Sequence, residues 1–186
     1  MNDVLKTIQE RFSCRGYTGE LLDKEILNTI GRAALQAPSS KNTQHWQIIA
    51  IQNKELLDEM NDAALDHIKM HEADAYERIL SRGGKVFYNS ACMFLILTPP
   101  DAHEDVRLDV GIVAQNIALA AQSLGLGNVI AAMSQFPFIN AAKGEELKKR
   151  VGWKEGYNFG VGVLLGHGNN TKDPHEIDLN KFTIVE

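Results

Sequence analysis

Two short stretches of this chain concentrate groups that can do chemistry. The first is Glu10-Arg11-Phe12-Ser13-Cys14-Arg15, in which two guanidinium groups and a hydroxyl recur at every second residue where a helical pattern ends. Arginine forks and a serine hydroxyl offer charge-assisted donors from fixed directions, which suits a phosphate. The same residues also suit a plainer role, with Arg11 complementing the helix dipole and Arg15 in solvent. The second stretch is Ala37-Pro38-Ser39-Ser40-Lys41-Asn42-Thr43-Gln44-His45-Trp46. Its Ser, Asn and Gln side chains can bond the edge of a heteroaromatic ring or a polyol chain, while Pro38 restricts the loop's entropy. A polar helix-to-strand connection is the alternative.

Other signals point to no site. His67 and His71 stand four residues apart and can share a metal with Glu72 or Asp74, but no H-E-x-x-H frames them and a solvated helix face accounts for them more simply. Gly160, Gly162 and Gly166 are spaced one residue too long for the dinucleotide fingerprint and fall inside a strand pattern. Arg82-Gly83-Gly84-Lys85 lacks the spacing of a phosphate loop. Cys14, between Arg11 and Arg15, reads as a spectator thiol. Neither a metal site nor a side-chain nucleophile is nominated.

The elements that must position these groups follow from apolar periodicity. A helix is predicted over 3–11, and a second begins after Asp23 as its cap, with Ile26, Leu27, Ile30, Ala34 and Leu35 as its stripe. Trp46 to Ile51 reads as a strand. Asn53 caps a helix whose face carries Leu56, Leu57, Met60, Ala64 and Ile68, and the acidic stretch 52–77 reads as one helical segment. Ala91 to Thr98 is a continuous apolar run, the pattern of a strand buried on both faces. Val106 to Leu124 is the central helix; Asn128 to Met133 and Asn158 to Leu165 are strands, with a short charged helix at 145–150 between them. Phe182 to Val185 is an apolar stretch in a polar tail, suited to pair with a sheet edge in its own or a neighbouring subunit. Helices and strands mixed in this order favour α+β over a regular βαβ series.

The composition is that of one ordinary domain: 186 residues and 20.6 kDa, 44% apolar and 23% charged. Such a length buries roughly 70% of its unfolded surface, so no staple is needed. The two cysteines form no C-x-x-C pair, which fits a reducing compartment. Nineteen basic against twenty-four acidic residues give a net charge of -5 and argue against a nucleic-acid partner. The excess acid sits in residues 52–77, so a local anion site elsewhere is compatible with it. Met1 to Phe12 reads as an amphipathic helix rather than an export signal, and no run approaches the ~20 apolar residues of a membrane helix. A cytoplasmic protein with no membrane contact is expected.

Taken together, the two stretches resemble the nitroreductase family of flavin-dependent oxidoreductases. That family opens with Arg-x-Ser-x-Arg, here Arg11, Ser13 and Arg15, followed by Ala-Pro-Ser-x-x-Asn-x-Gln-x-Trp, here Ala37, Pro38, Ser39, Asn42, Gln44 and Trp46. The likeness continues through Asp109-Val110-Gly111-Ile112-Val113-Ala114-Gln115-Asn116, Leu124-Gly125-Leu126-Gly127 and Leu164-Leu165-Gly166, so it covers nearly all of residues 1–186 as a single FMN-binding domain.

The resemblance implies an intertwined homodimer with FMN in the subunit interface and a central, mostly antiparallel sheet flanked by helices. It assigns Arg11, Ser13 and Arg15 to the flavin phosphate and ribityl chain, and Pro38, Ser39, Ser40 and Asn42 to the flavin of the other subunit. Lys172 is the candidate basic residue after the final strand; Gly166-His167-Gly168 departs from the family's frequent Gly-Tyr-Pro. Met133, Ser134 and Gln135 are the candidates to approach the reactive ring, where a backbone N–H near N5 and O4 favours the reduced, anionic flavin. Residues 61–69 offer a further polar contact. The implied activity passes hydride from NADH or NADPH through flavin N5 to a small oxidised acceptor, a nitroaromatic or quinone. Reductive dehalogenation, flavin fragmentation, and flavin storage without turnover are alternatives on the same fold.

Overall fold

The computed structural model describes residues 1–186. At its centre, β1 (Gln47–Ile51), β2 (Cys92–Thr98), β3 (Gly127–Ala131) and β4 (Asn158–Gly166) form one sheet in the order β1-β2-β4-β3, with every pair antiparallel. All seven residues of β2 are buried. Met93, Leu95 and Leu97 enter one core while Cys92, Phe94 and Ile96 enter the other, which is why the strand reads as an unbroken apolar run.

Six α-helices cover the sheet: α1 (Asp3–Glu10), α2 (Lys24–Leu35), α3 (Lys54–His71), α4 (Ala73–Leu80), α5 (Val106–Ser123) and α6 (Gly144–Val151). On one face α2 and α5 bury Ile30, Ala34, Val113, Ile117 and Ala121 against the sheet. On the other, α3, α6 and a 3-10 helix at Ala132–Ile139 bury Met60, Ala64, Ile68, Phe138 and Leu147. Each fully buried large side chain contributes about 1.5–3 kcal/mol, so two such layers hold the sheet from both sides. The α+β class and the helix-flanked antiparallel sheet expected from the sequence are those observed.

Four details differ from the sequence reading. Asp23 occupies the N-cap of α2, but only its backbone carbonyl accepts, from Ile26 and Leu27 N–H; its side chain makes no capping bond. Asn53, by contrast, caps α3 as expected, accepting from Leu56 N–H at 2.9 Å. The acidic segment is two helices, because the backbone breaks at Glu72 (φ -142°, ψ 68°). The third strand stops at Ala131, whose partner is Gly162; although β4 continues to Asn158, the chain leaves it there and, with Pro137, coils into the 3-10 helix that carries Met133, Ser134 and Gln135. Last, Phe182, Ile184 and Val185 are exposed and pair with no strand of their own subunit.

Glycine in β4 serves packing. A Cβ on Gly160 would lie 2.7 Å from the Ile96 carbonyl oxygen, next to the bulge between Ile96 and Leu97, and one on Gly162 would lie 2.4 Å from Ser134. No helix is long and apolar enough to cross a membrane.

Candidate functional site

Where α1 ends, Arg11 turns extended and donates its N–H to Thr7 O at 3.1 Å. The following residues lie along the free edge of β3: Ser13 forms a parallel bridge to Asn128, and Cys14 N–H donates to Asn128 O at 2.9 Å. Extended backbone alternates its side chains. Phe12 and Cys14 therefore pack into the core, while Arg11 and Ser13 remain partly exposed and Arg15 fully so. Three donors are thus presented by an arm fastened to the sheet.

Tyr17 is the fastening. Its hydroxyl lies 3.0 Å from Cys14 O and 3.2 Å from Leu164 O. Burial, aided by Cys14, pushes its pKa well above the ordinary tyrosine value, so the group stays protonated as a donor. The segment after β4 returns to the same place: Thr18 N–H donates to His167 O (3.0 Å), Asn169 N–H to Gly16 O (3.1 Å), and Cys14 Sγ to Asn170 Oδ1 (3.1 Å). Lys172 follows two residues later, exposed.

The loop before β1 is anchored elsewhere. Ser40 N–H donates to the Asp109 carboxylate in the first turn of α5, while the arm meets β3 just after that helix ends. Asp109 and Ser123 are fourteen residues apart, about 21 Å of helix. Within one subunit the structure therefore does not bring Pro38, Ser39, Ser40 and Asn42 to Arg11, Ser13 and Arg15. Pro38 and Asn42 are exposed; Ser39 Oγ accepts from Gln44 N–H at 2.9 Å.

The 3-10 helix lies at the far end of β3 from the arm. Gln135 lines a cleft of about 710 Å³ with Arg107, Val110, Ile130, Asn158 and Phe159. Met133 packs partly on the core. Ser134 is fully buried, and its Oγ has no hydrogen-bond partner. Opposite, His67 stacks on Phe136 at 5.3 Å between centroids. Burial and the neighbouring His71 lower the His67 pKa, and Glu72 opposes them. Asn61 is committed to structure, with its Oδ1 accepting from Val86 N–H at 2.8 Å and its Nδ2 donating to Gly84 O at 3.3 Å. No cluster of three or more His, Cys, Asp or Glu is arranged for a metal.

Sequence reasoning gave Asp109 no role. The signal was present: Asp109 falls on the same helical stripe as Val106, Val110 and Val113, and an acid among core positions implies a buried partner.

The sequence model of the nitroreductase family matches residues 8–167. The chain belongs to the nitroreductase family. A nitroreductase with bound FMN from Desulfitobacterium hafniense is 44% identical, with a TM-score of 0.93 over 100% of both chains. A protein of Archaeoglobus fulgidus, provisionally called an NADH dehydrogenase/NAD(P)H nitroreductase, is 29% identical over 96% of this chain and 92% of its own length. An FMN reductase [NAD(P)H] of Bacillus subtilis is 30% identical over 69% of this chain, which spans only 53% of that relative. The nitroreductase match contains the arm, the loop, α5 and β4, while Asn169, Asn170 and Lys172 of the returning segment follow it.

Proposed function

We propose that this nitroreductase-family protein is an FMN-dependent oxidoreductase using NADH or NADPH to reduce a small oxidised acceptor such as a nitroaromatic or a quinone. One observation carries the reading: three phosphate-suited donors on an arm along β3, with a helix start at the strand's other end. That layout fits an elongated ligand with an anion at one end and a heteroaromatic ring at the other. The FMN-bound relative supports the identity of the ligand.

Bound FMN supplies a ring that takes hydride at N5 from reduced nicotinamide and gives it to an acceptor stacked in the same place, a ping-pong sequence. This chain's residues bind and orient. Arg11, Ser13 and Arg15, with Lys172 from the returning segment, hold the phosphate and ribityl chain. Met133, Ser134 and Gln135, at the start of the 3-10 helix, are the residues to meet the ring edge, where a donated N–H would favour negative charge. Pro38, Ser39, Ser40 and Asn42 serve the flavin of the second subunit, because about 21 Å of α5 separates them from the arm of their own. The exposed Phe182, Ile184 and Val185 add to the free edge of the second subunit's β1, making the homodimer intertwined. Residues 1–186 act as one flavin-binding domain in this reading. Free Cys14 and Cys92 suit a reducing cytoplasm, with burial pushing the Cys92 thiol up to about 12.

The visible spectrum before and after anaerobic NADH or NADPH tests the reading. Flavin bands that bleach, then return with a quinone or nitroaromatic, are expected. A protein that stays colourless after incubation with FMN, or a bound flavin that neither nicotinamide bleaches, overturns it.

A further inference from the structure

The loop that leads into β1 rests on a buried carboxylate. Asp109 is 4% exposed. Its Oδ1 and Oδ2 accept the Ser40 N–H at 3.1 and 3.2 Å, and Oδ2 lies 3.0 Å from His103 Nε2. The other hydrogen bonds of residues 38–46 stay within the loop: Asn42 N–H to Ser39 O, Thr43 N–H to Ser40 O, Gln44 N–H to Ser39 Oγ, Gln44 Nε2 to Asn42 Oδ1 and Trp46 N–H to Gln44 O. One backbone N–H on one carboxylate is therefore the loop's hydrogen-bonded tie to the rest of the protein.

The loop needs such a tie. Lys41, Asn42 and Gln44 have φ of 52°, 54° and 48°, in the left-handed region that L-residues with a Cβ disfavour. Three such residues within four positions persist only where the surroundings over-determine the backbone. The carboxylate itself is held from behind: it sits in the first turn of α5, where the helix dipole favours an anion, and His103 fixes one of its oxygens.

We propose that Asp109 is the positioning residue of the flavin-contacting loop. Held by His103, it fixes the Ser40 backbone and so sets the directions in which Ser39, Ser40 and Asn42 reach the flavin of the second subunit. The proposal rests on the flavin reading above and adds to it a residue that itself touches no cofactor.

Ser40→Pro deletes the donor without touching Asp109 or His103. The substitution suits the site, since Ser39 is already extended (φ -140°, ψ 158°) and Ser40 opens a 3-10 turn. Ser40→Ala removes the hydroxyl but keeps the N–H, so the difference between the two variants isolates the tie. Two readouts are taken: the rate of tryptic cleavage after exposed Lys41 in the flavin-free protein, and the dissociation constant of FMN from quenching of its fluorescence. We expect Ser40→Pro to be cut at least about tenfold faster than Ser40→Ala and to bind FMN at least about tenfold more weakly. Asp109→Ala should move both readouts in the same direction. Asp109→Asn, which retains an oxygen acceptor, should stay within about threefold of the wild type.

Equality of Ser40→Pro and Ser40→Ala in either readout overturns the proposal, whether or not Asp109→Ala folds. A wild-type protein that binds no FMN would instead overturn the flavin reading, and cleavage after Lys41 would still report whether the tie exists.

Discussion

Gly162 and Ser134 compete for one space: a Cβ on Gly162 would lie 2.4 Å from both the Cβ and the Oγ of Ser134. Rotation can carry the Oγ aside but not the Cβ, so relief requires the start of the 3-10 helix to move. Gly162→Ala is expected to destabilise the protein by about 1–3 kcal/mol, read from chemical denaturation. It should also weaken FMN binding, because the displaced residues include Met133 and Gln135. A variant with wild-type stability would show that the helix start yields freely.

Arg11→Ala combined with Arg15→Ala should release the flavin. Charge-assisted bonds contribute about 1.5–3 kcal/mol each, so the pair predicts at least a roughly hundredfold rise in the FMN dissociation constant. Both side chains stand clear of the core, and the unfolding temperature of the flavin-free protein should change little. A double variant that purifies fully flavinated removes the phosphate assignment.

His67 provides a pH signature beside the 3-10 helix. Its pKa is lowered by burial and by His71, so the unfolded chain holds its proton more readily than the native one. The stability His67 contributes is therefore present above its unfolded value near 6.5 and is lost as pH falls through the lowered native value. His71→Gln should raise the His67 midpoint in an NMR titration of the ring protons, and Glu72→Gln should lower it. Shifts of the opposite sign would mean that the charges act elsewhere.

The sheet was legible because its strands carry unmistakable patterns. Cys92 to Thr98 is apolar at every position, and both of its faces are buried. What was illegible depended on neighbours. Nothing local ends β3 at Ala131, since β4 runs on to Asn158; the chain turns away there and Ser134 packs over Gly162. Glu72 breaks the acidic helix through backbone geometry that a run of good helix formers hides. Within the site, the spacing of Arg11, Ser13 and Arg15 could be read directly, since alternation follows from extended backbone. The tie between Ser40 and Asp109 spans 69 positions and joins a backbone group to a side chain, which no pattern of residue types encodes.

Removing Phe182–Glu186 should weaken self-association. These exposed apolar side chains gain nothing within one subunit, and the outer edge of β1 is unpaired. Sedimentation equilibrium should show a dimer for the full chain and a constant at least about tenfold weaker for the shortened one. An equally tight shortened dimer would place the interface elsewhere.

The strand order has a consequence for biosynthesis. β4 is the last strand to be made, yet it lies inside the sheet between β2 and β3. Until it emerges from the ribosome, β2 has a strand partner on one side only and β3 has none but the arm at Ser13. The most apolar strand of the protein is thus an open edge from its own synthesis until β4 is made, and insertion of β4 must close the fold after nearly everything else is in place. Slowing or interrupting synthesis before residue 158 would leave that edge available to other nascent chains, making this protein a natural client for chaperones that shield unpaired strands.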